Sequence, residues 1–219
     1  MGSHDLKRRV LDIAYENKLS HLGSYFSSVG IIDDIFATKD DDDIFILSAG
    51  HCAIALYVVL EKYLGHDAEV LFQKHGGHPH RCEKDDLYCS TGSLGMGLPA
   101  AVGRAIANPE RVVHCLISDG ECAEGSIWES LKFIYENNIK NIKVYVNVNG
   151  YAAYDAVDTK YLVERLKVFL PEINILYTDV NVFPFLRGLN AHYHIMEEED
   201  YKKALQLLQK NEDKSQEGL

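Results

Sequence analysis

Apolar residues recur at helical spacing near the start of the chain. Leu6, Val10, Ile13 and Ala14 fall on one face and predict a helix from Asp5 to about Lys18. Ser27 and Ser28 are good amino-terminal caps, and the residues after them predict a second helix to about Ala37. Ile44–Leu47 is a short apolar run that reads as a strand, and the four acids before it, Asp40–Asp43, read as a solvated turn. Helices are expected over His51–Leu64 and Leu94–Ala107, a strand over Val112–Ile117, a helix over Glu124–Asn137 and a strand over Ile142–Val148. A helix over Thr159–Phe169 and a strand over Ile173–Tyr177 follow. His192–Met196 alternates like a last strand, with His192 and His194 serving its packing, and Glu199–Gln209 reads as a closing helix. The polar residues 211–219 read as a disordered tail, so one domain is expected over 1–210.

Strands alternating with helices imply an α/β fold, a doubly wound parallel sheet with helices on both faces. In such sheets ligands sit beyond the carboxyl ends of the strands. Chemistry is therefore sought just after Leu47, Ile117 and Val148.

Composition narrows the function classes. The 219 residues are 47% hydrophobic, and 22 Lys and Arg against 33 Asp and Glu leave a formal charge of −11. Such a balance repels a phosphate backbone at long range and argues against general nucleic-acid binding. Five cysteines, an odd number with no C-x-x-C pair, argue against a disulfide framework. Most of them read as small buried apolar residues, and the chain as one of a reducing cytoplasm. No apolar stretch approaches the roughly 20 residues a membrane span needs, and no signal-peptide pattern opens the chain.

Ser118-Asp119-Gly120 follows one strand, with Glu124-Gly125 opening a helix, and Asn149-Gly150 follows the next strand. About thirty residues separate Asp119 from Asn149, room for one loop, one helix and one strand, so both fall at the same sheet edge. A carboxylate, an amide oxygen and a nearby carbonyl are hard donors that suit Mg²⁺. The helix near Glu124 favours an anion at its amino end. Together they suggest a metal-bridged diphosphate site, although Asp-Gly and Asn-Gly taken singly are ordinary turn pairs. His75, His78 and His80 crowd one segment, but no matching cysteine or carboxylate set accompanies them, so they are not read as a metal centre. His66 and His114 read as structural, and Trp128 as core or interface.

Asp-Gly, a helix and a following Asn resemble the thiamine diphosphate fingerprint. Four further segments are similar to transketolases: Ser20-His21-Leu22-Gly23 with Ser27-Ser28, Leu47-Ser48-Ala49-Gly50-His51, Gly77-His78-Pro79, and Ser90 to Gly97. The resemblance covers roughly residues 5–151 and implies thiamine diphosphate and Mg²⁺ as cofactors. It implies Asp119, Asn149 and the Tyr151 carbonyl as metal ligands, and His51 and Gly120 against the diphosphate. Gly92 and Leu94 would line the cofactor near its rings, and Glu124 would join a carboxylate network between paired sites. His21 and His78 would face a sugar or sugar phosphate and handle its protons. The implied reaction passes a two-carbon ketol unit from a ketose to an aldose.

The resemblance reaches only the diphosphate-binding half of such enzymes. It leaves the glutamate that activates the aminopyrimidine to a second subunit, in a heterotetramer or larger assembly. Ser118 stands where Gly is usual and His80 where an acid is common. The stretch from Tyr151 to His192 is short, which implies a trimmed wall over the cofactor and an unusual sugar. Two other readings share the Asp-Gly and Asn elements: the alpha subunit of a 2-oxoacid dehydrogenase, and a deoxyxylulose phosphate synthase-like protein. A catalytically inactive cofactor-binding regulatory subunit is the third. A plain dinucleotide module is disfavoured, because no G-x-G-x-x-G follows the first strand.

Overall fold

A computed structural model describes residues 2–217. Four strands, β1 (Ile44–Leu47), β2 (Val113–Ser118), β3 (Ile142–Val148) and β4 (Asn174–Tyr177), form one sheet in sequential order. All three pairings are parallel, in a continuous register from Ile44↔Val113 through Val113↔Ile142 to Tyr145↔Asn174. β1 and β2 are buried at every position, as expected where both faces of a parallel sheet are covered.

Strand alternation splits the core into two layers. Phe45, Leu47 and Leu116 face helices α1 (Ser3–Glu16), α2 (Leu22–Thr38) and α3 (Ala53–Leu64). Ile44, Ile46, Cys115, Ile117, Val144 and Val146 face α5 (Gly97–Ala107), α6 (Gly125–Glu136) and α7 (Thr159–Phe169). The chain changes faces between β1 and β2. It descends on one side through α3 and α4 (Ala68–His75), then crosses back over the carboxyl edge before α5. This crossing brings residues 76–96 over the ends of the strands. It is tight: a Cβ at Gly97 would lie 2.5 Å from the Ser48 Cα, and one at Gly50 would lie 2.6 Å from the Thr91 carbonyl carbon.

Several expectations need correction. Ser27 and Ser28 do not cap α2, which starts at Leu22; both are buried within it. There they accept hydrogen bonds from the Asn147 side chain at 3.0 and 3.1 Å, tying α2 to β3. Helix α4 has no counterpart in the hydrophobic pattern. Its start is fixed by Asp67, whose carboxylate accepts from the Glu69 and Val70 amides. The strand expected over His192–Met196 is instead a short helix, α8 (Asn190–Tyr193), followed by extended chain. Packing decides this. Gly23 leaves room for α8 so close that a Cβ there would lie 2.7 Å from that of Ala191.

The closing helix α9 runs Glu198–Glu217, so the polar tail expected over 211–219 begins inside it, and residues 218 and 219 lie outside the described residues. Asp43, at the end of the acidic run, holds the buried His114 at 3.0 Å, and His66 pairs with Asp86 at 2.8 Å. All five cysteines are free. No helix among the described residues is long and apolar enough to cross a membrane.

Candidate functional site

A cleft of about 190 Å³ opens at the carboxyl ends of β1–β3. Eight of the ten residues singled out in the sequence line it: His21, His51, His78, Gly92, Leu94, Gly120, Asn149 and Tyr151. Asp119 lies beneath its floor, and Glu124 is exposed at the start of α6 with no side-chain capping bond.

Asp119 follows β2 directly and is 2% exposed. One carboxylate oxygen accepts from the amides of Asn149 (2.9 Å) and Gly150 (2.6 Å), the other from Gly120 (3.0 Å). Burial pushes its pKa up to about 6, against the opposing pull of these amides. Among the described residues these backbone amides, not side-chain cations, are its partners. The Asn149 side-chain oxygen accepts from the Tyr151 amide at 3.0 Å, which turns the chain sharply after β3. A Tyr151–Ala156 bridge and the Val157 amide bonded to the Gly150 carbonyl close residues 150–157 into a compact wall. Asp119 and Asn149 are thus joined through one hydrogen-bonded loop pair, and oxygen donors gather at a single corner of the cleft.

The histidines come from separate elements. His21 precedes α2 in a left-handed conformation (φ 69°), a costly backbone state for a residue with a Cβ. Its amide donates to the His192 carbonyl at 2.8 Å, and its Nδ1 lies 2.8 Å from the Ser20 hydroxyl. His51 sits in the 3-10 turn Gly50–Cys52 after β1. Burial, followed by neighbouring imidazoles, lowers the pKa of His21 to about 4 and of His51 to about 3. Both rings are therefore neutral near pH 7 and able to accept or donate at one nitrogen each. His78 stands on the loop after α4, against the bare backbone of Gly92, where a Cβ would lie 3.1 Å from its ring.

Two residues of the site escaped the sequence reading. His192 packs edge-on to His21 with ring centroids 4.2 Å apart, and lies 5.6 Å from the His51 ring. A strand assignment had hidden it, because alternation gives no hint of which loop it caps. Glu121 is completely buried, and accepts from the Ser48 hydroxyl (2.7 Å) and the Gly95 (2.9 Å) and Ser118 (3.1 Å) amides. It joins the ends of β1 and β2 to the Gly-rich crossing. The Ser118 hydroxyl, in the place usually held by Gly, accepts from the Glu121 amide at 3.2 Å and so belongs to the same knot. The crowded histidine segment also differs from expectation. His78 faces the cleft, whereas His75 turns away from it and gathers with Cys82 and Asp85, ligand-type atoms lying within 4.8 Å of one another.

The chain matches the family described as thiamine pyrophosphate enzyme, C-terminal TPP binding domain, over residues 76–211. It is 29% identical over 169 residues to one of the subunits of the apulose-4-phosphate transketolase of Phocaeicola vulgatus, covering 68% of this chain and 60% of that protein. It is also 29% identical over 150 residues to the 1-deoxy-D-xylulose-5-phosphate synthase of Fusobacterium nucleatum, covering 66% of this chain and 24% of that protein. In structure it resembles a transketolase from Leishmania mexicana with a TM-score of 0.72 at 17% identity, over 94% of this chain and 40% of that one. The chain thus spans less than two thirds of each of these relatives. With a family match over more than half its length, the chain belongs to the thiamine pyrophosphate enzymes, carries their TPP-binding domain, and is homologous to transketolases.

Proposed function

We propose that this chain is the diphosphate-binding subunit of a split, thiamine diphosphate- and Mg²⁺-dependent transferase that moves a two-carbon ketol unit from a ketose to an aldose. The observation that carries the reading is the shared cleft: an oxygen-donor corner at Asn149 and Tyr151, with Asp119 beneath it, shares the cleft with four imidazoles, His21, His51, His78 and His192, from four different segments. The local structure fits the implied groups. Asp119 is a buried carboxylate whose partners among the described residues are neutral amides, so a divalent cation would complete its charge balance. The Thr91 hydroxyl, beside Gly92, is buried without a hydrogen-bond partner among the described residues. A Cβ at Gly120 would meet the Ala152 Cα at 3.1 Å, so glycine here lets the 150–157 wall pack closely over the floor of the cleft.

When bound, thiamine diphosphate supplies the electron sink for cleaving the bond beside a ketose carbonyl. Asp119, the Asn149 side chain and the Tyr151 carbonyl would hold Mg²⁺. His51 and Gly120 would lie against the diphosphate, and Gly92 and Leu94 would border the rings. His21 and His78, neutral imidazole at His21 included, would orient sugar hydroxyls and carry their protons. Glu124, exposed and uncapped, would meet a partner's carboxylates. A partner chain with the pyrimidine-binding half would complete the site, in a heterotetramer or larger assembly; the similarity to a protein named as one subunit of a transketolase supports this. The compact 150–157 wall supports an unusual sugar or sugar phosphate as substrate. Five unpaired cysteines suit the reducing cytoplasm.

The test is titration of thiamine diphosphate and Mg²⁺ into the chain, alone and with its complementary partner chain. Asp119→Ala is expected to abolish metal-dependent binding; unchanged binding refutes the ligand assignment. The similarity to a deoxyxylulose phosphate synthase favours one second reading, acyl transfer from a 2-oxoacid, which product formation from pyruvate would support.

A further inference from the structure

Outside the cleft, three side chains with the donor atoms of a zinc site meet behind the His78 loop. His75 is the last residue of α4, and its side chain is 4% exposed. Its Nε2 lies 2.6 Å from an Asp85 carboxylate oxygen. Cys82 and Asp85 belong to one tight turn, a bridge pairing Cys82 with Leu87 around the 3-10 segment Glu83–Asp85. The turn is fixed by backbone bonds: the Cys82 amide to the Leu87 carbonyl at 2.8 Å, Leu87 back to Cys82 at 3.1 Å, and the Asp85 amide to the Cys82 carbonyl at 2.9 Å. The left-handed Asp86 (φ 56°) closes it. Glu83 anchors the outside through Arg81 (2.8 Å) and Arg104 (2.9 Å). The nitrogen, sulfur and oxygen donors are therefore converged by backbone geometry, and all lie within 4.8 Å of one another. At present a cation lies beside two of them. The Lys74 ammonium is 2.6 Å from the same Asp85 oxygen and 3.7 Å from the Cys82 sulfur.

We propose that His75, Cys82 and Asp85 form a zinc site, separate from the oxygen-donor corner at Asp119, with the fourth coordination place open to solvent. The donor set selects the ion. A thiolate with an imidazole and a carboxylate suits Zn²⁺ and disfavours Mg²⁺, which takes oxygen ligands. Tetrahedral Zn²⁺ at its usual bond lengths holds its ligand atoms about 3.3–3.6 Å apart. The cluster meets this by opening the His75–Asp85 hydrogen bond by a little under an ångström and by drawing in any pair now as far apart as 4.8 Å by up to about 1.5 Å. Lys74 is half-exposed on a flexible stem and swings into solvent as the ion takes its place. The consequence is a clip across residues 75–85. It staples the loop that carries His78 to the end of α4, and fixes the height at which that imidazole enters the cleft. The inference does not depend on the reaction proposed above, since Zn²⁺ uptake is read without cofactor or substrate.

The experiment uses the full chain, stripped with chelator under reducing conditions and titrated with Zn²⁺ alone; Co²⁺ serves as a spectroscopic substitute. One equivalent of Zn²⁺ is expected to bind, and Co²⁺ to give a thiolate charge-transfer band. Cys82→Ser and Asp85→Asn, checked for folding by circular dichroism, are expected to weaken uptake by about 100-fold or more. Cys82→Ser also removes the band. Cys89→Ser and Asp119→Asn keep both, which separates this site from other thiols and from the Mg²⁺ corner. Lys74→Met binds Zn²⁺ at least as tightly as the unmodified chain. Absence of stoichiometric uptake, or uptake and a band that survive Cys82→Ser, overturns the proposal and leaves the cluster a hydrogen-bonded ion pair.

Discussion

Replacing Asp119 by Asn tests the electrostatics of the site without any ligand. The wild-type carboxyl has its pKa pushed from an ordinary 3.8 up to about 6 by burial. At 1.36 kcal/mol per tenfold change in proton affinity, holding it ionised at pH 7 costs the fold about 3 kcal/mol. A folded-state pKa above the unfolded value means that the native state binds more protons. This group therefore stabilises the fold progressively as pH falls through about 6, with the full effect below 3.8. Between pH 7 and pH 5 the gain is about 1.3 kcal/mol. Asn cannot titrate, so its variant lacks this gain. At pH 7 the variant keeps one oxygen to accept from the Asn149 and Gly150 amides, loses the acceptor for the Gly120 amide, about 1–3 kcal/mol, and is relieved of the buried charge. The two nearly cancel, and the net change at pH 7 is small.

The assay is urea denaturation of both proteins at pH 7 and pH 5 with chelator present. His21 and His51, with folded pKa values lowered to about 4 and about 3, act oppositely. Their contribution is complete above about 6.5 and is lost as pH falls, because the unfolded chain takes up the protons. Absolute stability therefore declines on acidification in both proteins, and the difference between them isolates Asp119. The variant should fall behind wild type by about 1.3 kcal/mol more at pH 5 than at pH 7. Parallel pH dependence, within about 0.3 kcal/mol, refutes a buried carboxylate without a charge partner at this position.

Further outcomes follow from the same geometry. Glu121→Ala strands the Gly95 and Ser118 amides in the core and should cost about 2–4 kcal/mol by chemical denaturation; a loss below about 0.5 kcal/mol contradicts the knot. Gly97→Ala pushes a Cβ onto the Ser48 backbone and should destabilise by about 1–3 kcal/mol. Gly103→Ala meets nothing within 4 Å on the same helix and should stabilise by about 0.5–1 kcal/mol, so equal effects would deny the tight crossing. In the ligand-free chain the His21 and His51 imidazole resonances should not shift between pH 8 and about 6; titration at the ordinary 6.5 contradicts their burial.

Legibility in the sequence followed the physics of each element. β3 and α7 were readable to the residue, because an apolar strand and a capped amphipathic helix carry their own boundaries. Asp158 caps α7 through the Tyr161 amide. Helix α4 had a cap in Asp67 and a left-handed stop at Gly76, but eight residues give too short an apolar stripe to stand out. His192–Met196 showed strand alternation that tertiary packing overrode, and with it went the sight of His192 in the cleft. Glu121 was unreadable for another reason. Nothing in its spacing separates a buried acceptor from an exposed acid; its role exists only once β1, β2 and the Gly-rich crossing meet. His75, likewise, acquires Cys82 and Asp85 as neighbours only through a turn whose closure the pattern does not announce.

In the proposed function this chain supplies the diphosphate- and metal-holding half of a shared active site. The most direct test is ketol transfer measured with a panel of ketose donors and aldose acceptors, with the chain alone and with a chain carrying the pyrimidine-binding half. No turnover is expected from this chain alone, and turnover dependent on both thiamine diphosphate and Mg²⁺ is expected once the two chains are mixed. Full turnover by this chain alone would contradict the proposal.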